Sequence, residues 1–286
     1  MDESSKVEAQ GEQALPSVLL ATDGGEGAEA ALHAAIKLAN TFKVALTAVT
    51  MAVSNPEYDA VAPQAAADAE RRAREVLDHV VAEAKAAGLA CATRLRRGAA
   101  PDRDIVEVAK EFNAQLIVMG RHERGKLSRT LLGDTAGKVI AHAPCCVLVV
   151  PAGAAFDVRR VLVATDGSEV AEKALPMAAR LAHYFAAPIT AVSVEVPSHP
   201  QERRAEAAQI VQRTVEWFER AKQPCDGEVL NGEVAEAVTE AARRLGADVI
   251  VMASHGRTGL GRVVVGSNAS RVLEKSDCAV LVVRGG

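Results

Sequence analysis

From Met252 to Asn268 the chain reads MASHGRTGLGRVVVGSN, a stretch whose residue types suit a phosphate chain. Gly256, Gly259 and Gly261 follow the apolar run Ala247–Met252, which reads as a buried parallel strand. Glycines after such a strand let backbone N–H groups crowd a ligand without interference from a Cβ. Gly266, Ser267 and Asn268 then open a new helix, whose first N–H groups and positive dipole end suit an anion. No Lys precedes Ser267, so the pattern is not G-x-x-x-x-G-K-[ST], and the spacing G-x-G-x-x-G is also missing. The Walker and dinucleotide readings therefore fail.

The elements that must position this stretch occur twice. SVLLATDG at Ser17–Gly24 returns as RVLVATDG at Arg160–Gly167, and LANTF at Leu38–Phe42 returns as LAHYF at Leu181–Phe185, both offset by 143 positions. QLIVM at Gln115–Met119 answers DVIVM at Asp248–Met252, and CCVLVV at Cys145–Val150 answers CAVLVV at Cys278–Val283, offset by 133. The second copy is thus ten residues shorter, and the loss falls between its second and fourth strands. Two homologous domains are expected, at 15–151 and 157–286, after a polar and acidic leader, 1–14, that reads as disordered.

Each copy alternates short apolar runs with helical patterns, which predicts an α/β fold with a parallel sheet covered by helices on both faces. In the second copy the expected strands are Arg160–Thr165, Pro188–Val194, Gly227–Leu230, Asp248–Met252 and Ala279–Val283. Helices are expected over Glu169–Phe185, Gln201–Lys222 and Glu233–Leu245, with Ser168 as an N-cap. Pro176 should bend the first of these or mark a late start. Ligands of doubly wound sheets sit at the carboxyl ends of the strands.

Composition narrows the function. The first 156 residues hold 17 basic and 20 acidic side chains and the remainder 16 and 17, so neither half has the basic excess of a nucleic-acid binder. No apolar run approaches the length of a membrane span. Five cysteines (91, 145, 146, 225 and 278) form no C-x-x-C pair and point to a reducing, cytoplasmic setting; Cys145, Cys146 and Cys278, which precede or enter apolar strands, read as small buried hydrophobes. The seven histidines show no metal-ligand spacing.

Taken together, the strand-ending ATDG and MASHG, the nine residues from Gly256 to Gly266-Ser267, and the closing VLVV strand resemble the universal stress protein family. The resemblance covers nearly the whole chain after about residue 15. It implies two tandem doubly wound domains, each a five-stranded parallel sheet of order 3-2-1-4-5 with about four helices. It also implies ATP, with or without Mg2+, over the carboxyl edge of the sheet, and pairing through the last strand. For this chain that pairing would be an intramolecular pseudo-dimer, and a homodimer is a further option. Nucleotide-binding members carry Gly, two residues, Gly, nine residues, Gly, then Ser or Thr. The second copy has Ala253 in place of the first Gly and then keeps Gly256, Gly266 and Ser267. By this resemblance Asp166 contacts ribose or adenine, Val194 lines the base pocket, and Gly256, Gly266, Ser267 and Asn268 cradle the phosphates. Ala164, Thr165, Met252 and Ala253 complete the site at the strand ends. A carboxylate at a strand end can accept two hydroxyl hydrogen bonds; it can equally cap a turn. His255 and Arg257 are either donors to phosphate or solvated loop residues.

The first copy departs from the pattern: Glu123 stands where Gly256 does, and Asp134 where Ser267 does. Each carboxylate beside a triphosphate would repel it by ~3 kcal/mol at about 5 Å and an effective dielectric of ~20. The residues therefore predict one nucleotide site per chain, in the second copy. The leading function is an ATP-binding regulatory protein of the stress response. The alternatives are a weak ATPase or phosphotransferase, and a ligand-free interaction scaffold. No catalytic residue is assigned.

Overall fold

The computed structural model describes residues 17–25, 27–53, 61–121, 134–256 and 264–284. Two compact units divide the chain between Gly153 and Ala154.

In the first unit the strands are β1 (Ser17–Ala21), β2 (Ala45–Val53), β3 (Cys91–Gly98), β4 (Leu116–Gly120) and β5 (Cys146–Val150). They run parallel in the order β3-β2-β1-β4-β5. Its helices are α1 (Ala28–Phe42), α2 (Pro63–Ala86), α3 (Pro101–Glu111) and α4 (Asp134–His142). The second unit repeats this with β6 (Val161–Ala164), β7 (Ile189–Glu195), β8 (Cys225–Asn231), β9 (Val249–Ala253) and β10 (Ala279–Val283), in the order β8-β7-β6-β9-β10. Between them run α5 (Glu169–Glu172), α6 (Leu175–Phe185), α7 (Gln201–Arg220), α8 (Val234–Leu245) and α9 (Ser267–Lys275). Each unit is thus a doubly wound α/β sheet of order 3-2-1-4-5.

The central strands VLLA, LIVM, VLV and VIVMA are buried because helices cover a parallel sheet on both faces. The outer strands β3 (CATRLRRG) and β8 (CDGEVLN) carry charge instead, as edges must. Small side chains set the packing: Ala30, Ala31, Ala34, Ala35, Leu38 and Ala39 of α1 are all buried, so its backbone approaches the sheet closely. Lys43 and Ala186 close α1 and α6 in the left-handed region, φ 57° and 51°, at matching positions of the two copies. Repetition here extends to the strained residue at the helix end.

Pro176 marks a late start, one of the two outcomes expected of it. The helical stretch breaks into α5 and α6, and the proline sits in the first turn of α6, where no N–H is needed. Ser168 caps α5 by accepting from the N–H of Ala171 at 3.2 Å. None of the five cysteines is in a disulfide; Cys145, Cys146 and Cys278 are half-buried rather than buried as expected, and Cys91 and Cys225 are half-buried too. Burial pushes the Cys91 and Cys225 thiols up to about 11 and about 12, so neither is a reactive thiolate.

Candidate nucleotide site

At the switch point of the second sheet, between β6 and β9, the carboxyl strand ends open onto a cleft of about 200 Å³. Its floor is the end of β6 and β9, with Ala164, Met252 and Ala253 facing it. One wall is the end of β7 with the start of α7; the other is the turn after β9 and the start of α9.

The β6 wall is held by consecutive side-chain acceptors. Thr165 Oγ1 accepts from the N–H of Gly167 at 3.1 Å, and Asp166 Oδ1 accepts from the N–H of Ser168 at 3.1 Å. Asp166 is therefore a turn-former through one oxygen, while its Oδ2 faces Gly256 across the cleft. The turn-forming reading of this residue holds for Oδ1.

At the opposite wall the N–H of Ser254 donates to Val283 O at 2.9 Å, and Ser254 O accepts from the N–H of Gly266 at 2.8 Å. That last bond fixes the start of α9 against the end of β9. Gly266 is the N-cap, at φ −61° and ψ 146°, an extended conformation that any residue adopts. A Cβ on it would lie 3.1 Å from Ser254 O, so space, not conformation, is what glycine supplies. No side chain caps α9 and no acidic residue lies in its first turn. Its leading amides, with exposed Ser267 and Asn268, line the cleft. An uncapped helix start of this kind suits an oxyanion.

His255 sits between these walls. Its Nδ1 is 3.0 Å from Ser254 Oγ, and its Nε2 is buried with no partner among the described residues. Burial, and then the positive charge of Arg284, lower its pKa below the usual histidine range. Whichever of Ser254 Oγ and His255 Nδ1 donates, the neutral ring leaves Nε2 without a partner among the described residues.

Eleven of the twelve residues singled out from the sequence line this one cleft; Arg257, the twelfth, lies outside the described residues. Ala253 ends β9 in register with Val283 and is not at positive φ, so its methyl group costs the strand end nothing. Sequence reasoning missed the α7 side of the cleft, where His199, Arg203, Ala207 and Ile210 line it. The last three are spaced four and three apart on one helical face, a periodicity that was readable once α7 was placed over β7. It also missed Val234 and Val238, from the start of α8.

The first unit keeps the same strand-end turn. Gly24 donates to Thr22 Oγ1 at 3.3 Å and Gly25 to Asp23 Oδ1 at 2.9 Å. What differs is the end of β4. A Cβ on Gly120 would lie 2.5 Å from Gly27 O, and one on Gly27 would lie 2.8 Å from Arg121 O. The start of α1 thus lies against the β4 end, and among the described residues a first-unit cavity of about 610 Å³ is lined by the ends of β1 and β2 with α1 and α2, and not by Met119 or Gly120. Glu123 and the Asp134 side chain fall outside the described residues.

A model of the universal stress protein family matches residues 16–151 and again residues 157–284. The chain belongs to the universal stress protein family. A universal stress protein of Mycolicibacterium smegmatis is 28% identical over 288 residues, which covers 93% of this chain and 96% of that protein. The universal stress protein MJ0531 of Methanocaldococcus jannaschii is 31% identical over 139 residues, 44% of this chain and 82% of its own length. Among solved structures, a universal stress protein from Archaeoglobus fulgidus matches with a TM-score of 0.73 at 21% identity, over 94% of this chain and 96% of that one. Tandem universal stress architecture thus extends over both copies.

The lining supplies the kinds of group that a nucleoside triphosphate needs. It offers a hydroxyl-accepting carboxylate at one wall, an uncapped helix start and a glycine without room for a side chain at the other, and apolar Val194 and Val196 beside them. No group of three His, Cys, Asp or Glu that could hold a metal occurs among the described residues, so any Mg2+ would come with the phosphates. No helix among the described residues is long and apolar enough to cross a membrane.

Proposed function

We propose that the second unit binds ATP and that the chain is a regulatory nucleotide-binding member of its family, acting in a reducing cytoplasm. The convergence of eleven nominated residues on one cleft, with the bare start of α9 at its edge, carries this reading. In it, Ser267, Asn268 and the first amides of α9 hold phosphate, Asp166 takes ribose hydroxyls, and Val194 lies against the base. His255 offers a neutral donor from between the two walls. Bound ATP supplies charge and a large ordered surface at the strand ends, which is what a partner would read.

The test is to denature purified protein and analyse the released small molecules by mass spectrometry, with calorimetric titration of the stripped chain. Co-purifying adenine nucleotide and saturable ATP binding are expected. A stripped, folded chain that takes up no nucleotide would overturn the reading in favour of a ligand-free scaffold.

A further inference from the structure

Among the described residues that line the second unit's cleft, Arg203 is the one lysine or arginine. Its side chain is exposed and makes no hydrogen bond or ion pair among the described residues. The course of α7 sets where it sits. β7 and β8 are parallel, so the helix joining them runs antiparallel to both and starts at the carboxyl edge of the sheet. Ile210 packs on the turn after β6, its Cγ1 lying 2.9 Å from where a Cβ of Gly167 would be. Arg203 precedes Ile210 by seven residues on the same helical face, which places it roughly 10 Å nearer the helix start at about 1.5 Å per residue. Helical side chains lean toward the N-terminus, so Arg203 projects farther out still. It overhangs the mouth of the cleft from the α7 side, beyond the strand ends. The first unit offers an internal comparison. There Val76 of α2 packs on the Gly24 turn as Ile210 packs on the Gly167 turn. The same seven residues back from Val76 stands Ala69, which lines the first unit's cavity. Packing this helix on this turn therefore does not call for an arginine; the second copy has one, and the first does not.

We propose that Arg203 grips the phosphate chain of the bound nucleotide from the side opposite α9, and so selects phosphorylated ligands over nucleosides. This rests on the nucleotide reading of the cleft. The start of α9 offers uncharged amides and hydroxyls. A polyphosphate brings several negative charges into a cleft that already holds one carboxylate, Asp166. A guanidinium carries a fixed charge, five donors and no acceptor, and its strongest bonds are to ionised oxygens. The acceptors of a base are neutral, so phosphate wins the guanidinium.

The experiment titrates ATP into the stripped full chain by calorimetry, at low and at high salt, for the wild type, Arg203→Gln and Arg203→Lys. A charge-assisted bond is worth about tenfold or more in affinity, so Arg203→Gln should weaken ATP by at least that factor at low salt. High salt should narrow the gap, because the mouth of the cleft is exposed and its charge is screened. Arg203→Lys should keep the larger part of the affinity, since phosphate also accepts a point charge. Melts of the three ligand-free proteins should coincide. Unchanged ATP affinity in Arg203→Gln would return the residue to a solvated helix face and overturn the inference. Equal losses in Arg203→Lys and Arg203→Gln, with a gap that salt does not alter, would also overturn it, because they mark a planar group stacked on the base. Both results leave the nucleotide site standing. A lowered melt of ligand-free Arg203→Gln would reveal a partner within the chain and overturn the inference as well. A wild type that takes up no ATP would overturn the nucleotide reading itself, and this inference with it.

Discussion

The two copies share strand order, strand-end turns and even left-handed helix ends, yet their clefts differ. In the second, the end of β9 is open and Met252 and Ala253 line the cavity. In the first, Gly27 O lies within 2.5 Å of where a Cβ of Gly120 would be, so the start of α1 occupies that ground. The first copy has a glycine, Gly120, at its strand end, and the start of α1 packs against it. The second has Ala253 at that position and lines the cleft with it. A motif residue is therefore evidence of local crowding; what crowds it has to be read from the surroundings.

The largest effect that could break this comparison is stoichiometry. Titration of the stripped chain with ATP should give a value near one per chain, because the first copy carries Glu123 and Asp134 where the second has Gly256 and Ser267. A value near two would mean that the β4–α4 region accommodates phosphate despite Glu123 and Asp134. Next is Gly266→Glu, which installs in the second copy the kind of charge the first copy carries. It should abolish ATP binding, since a carboxylate at the start of α9 repels phosphate by ~3 kcal/mol at about 5 Å and a dielectric of ~20, besides filling its place. The backbone at 266 tolerates any residue and the contact with Ser254 O is tight, so stability should fall by only ~1–2 kcal/mol. Unchanged ATP affinity in a folded variant would place the nucleotide elsewhere.

Most of the fold was legible because repetition doubled the signal. VLLA and VLVA, or LIVM and VIVM, are too short to assign alone, but appearing twice at fixed offsets they read as equivalent strands. The turn at Asp166 was legible from ATDG, since Thr and Asp side chains accept from amides two residues on. The α7 wall was not, because His199 and Arg203 enter the cleft only once tertiary packing lays α7 over β7 and β8. The packing of the α1 start against the β4 end was equally hidden. It depends on how closely an alanine-rich helix approaches a strand end, a distance no local pattern encodes.

A smaller effect comes from Ser267→Ala. It removes one hydroxyl from the cleft and nothing from the core, since Ser267 is exposed. ATP affinity should weaken by ~0.5–1.5 kcal/mol, or more if the hydroxyl donates to a charged phosphate, with an unchanged melt. A full-strength variant would leave phosphate binding to the backbone amides of α9 alone, and the serine would then be only a helix-start residue.

The smallest effect concerns His255 and pH. Its pKa is lowered in the folded chain, first by burial and then by Arg284, so the native ring resists protonation. The unfolded chain takes up that proton at the ordinary value, about 6.5. Above that range the ring is neutral in both states and contributes no pH dependence. As pH falls through it, the unfolded chain binds more protons than the native one, and stability is lost until the lower native pKa is reached. His255→Asn can keep a polar contact with Ser254 Oγ but cannot titrate. Wild type should therefore lose more of its melting temperature between pH 7.5 and pH 5.5 than the variant does, all other titrating groups being common to both. ATP should narrow that gap, because phosphate beside Nε2 stabilises the protonated ring and raises its pKa toward the ordinary value. Equal losses in the two proteins would mean that the orphaned Nε2 is hydrated in solution. A gap unaffected by ATP would place the phosphates away from His255, against the start of α9 alone.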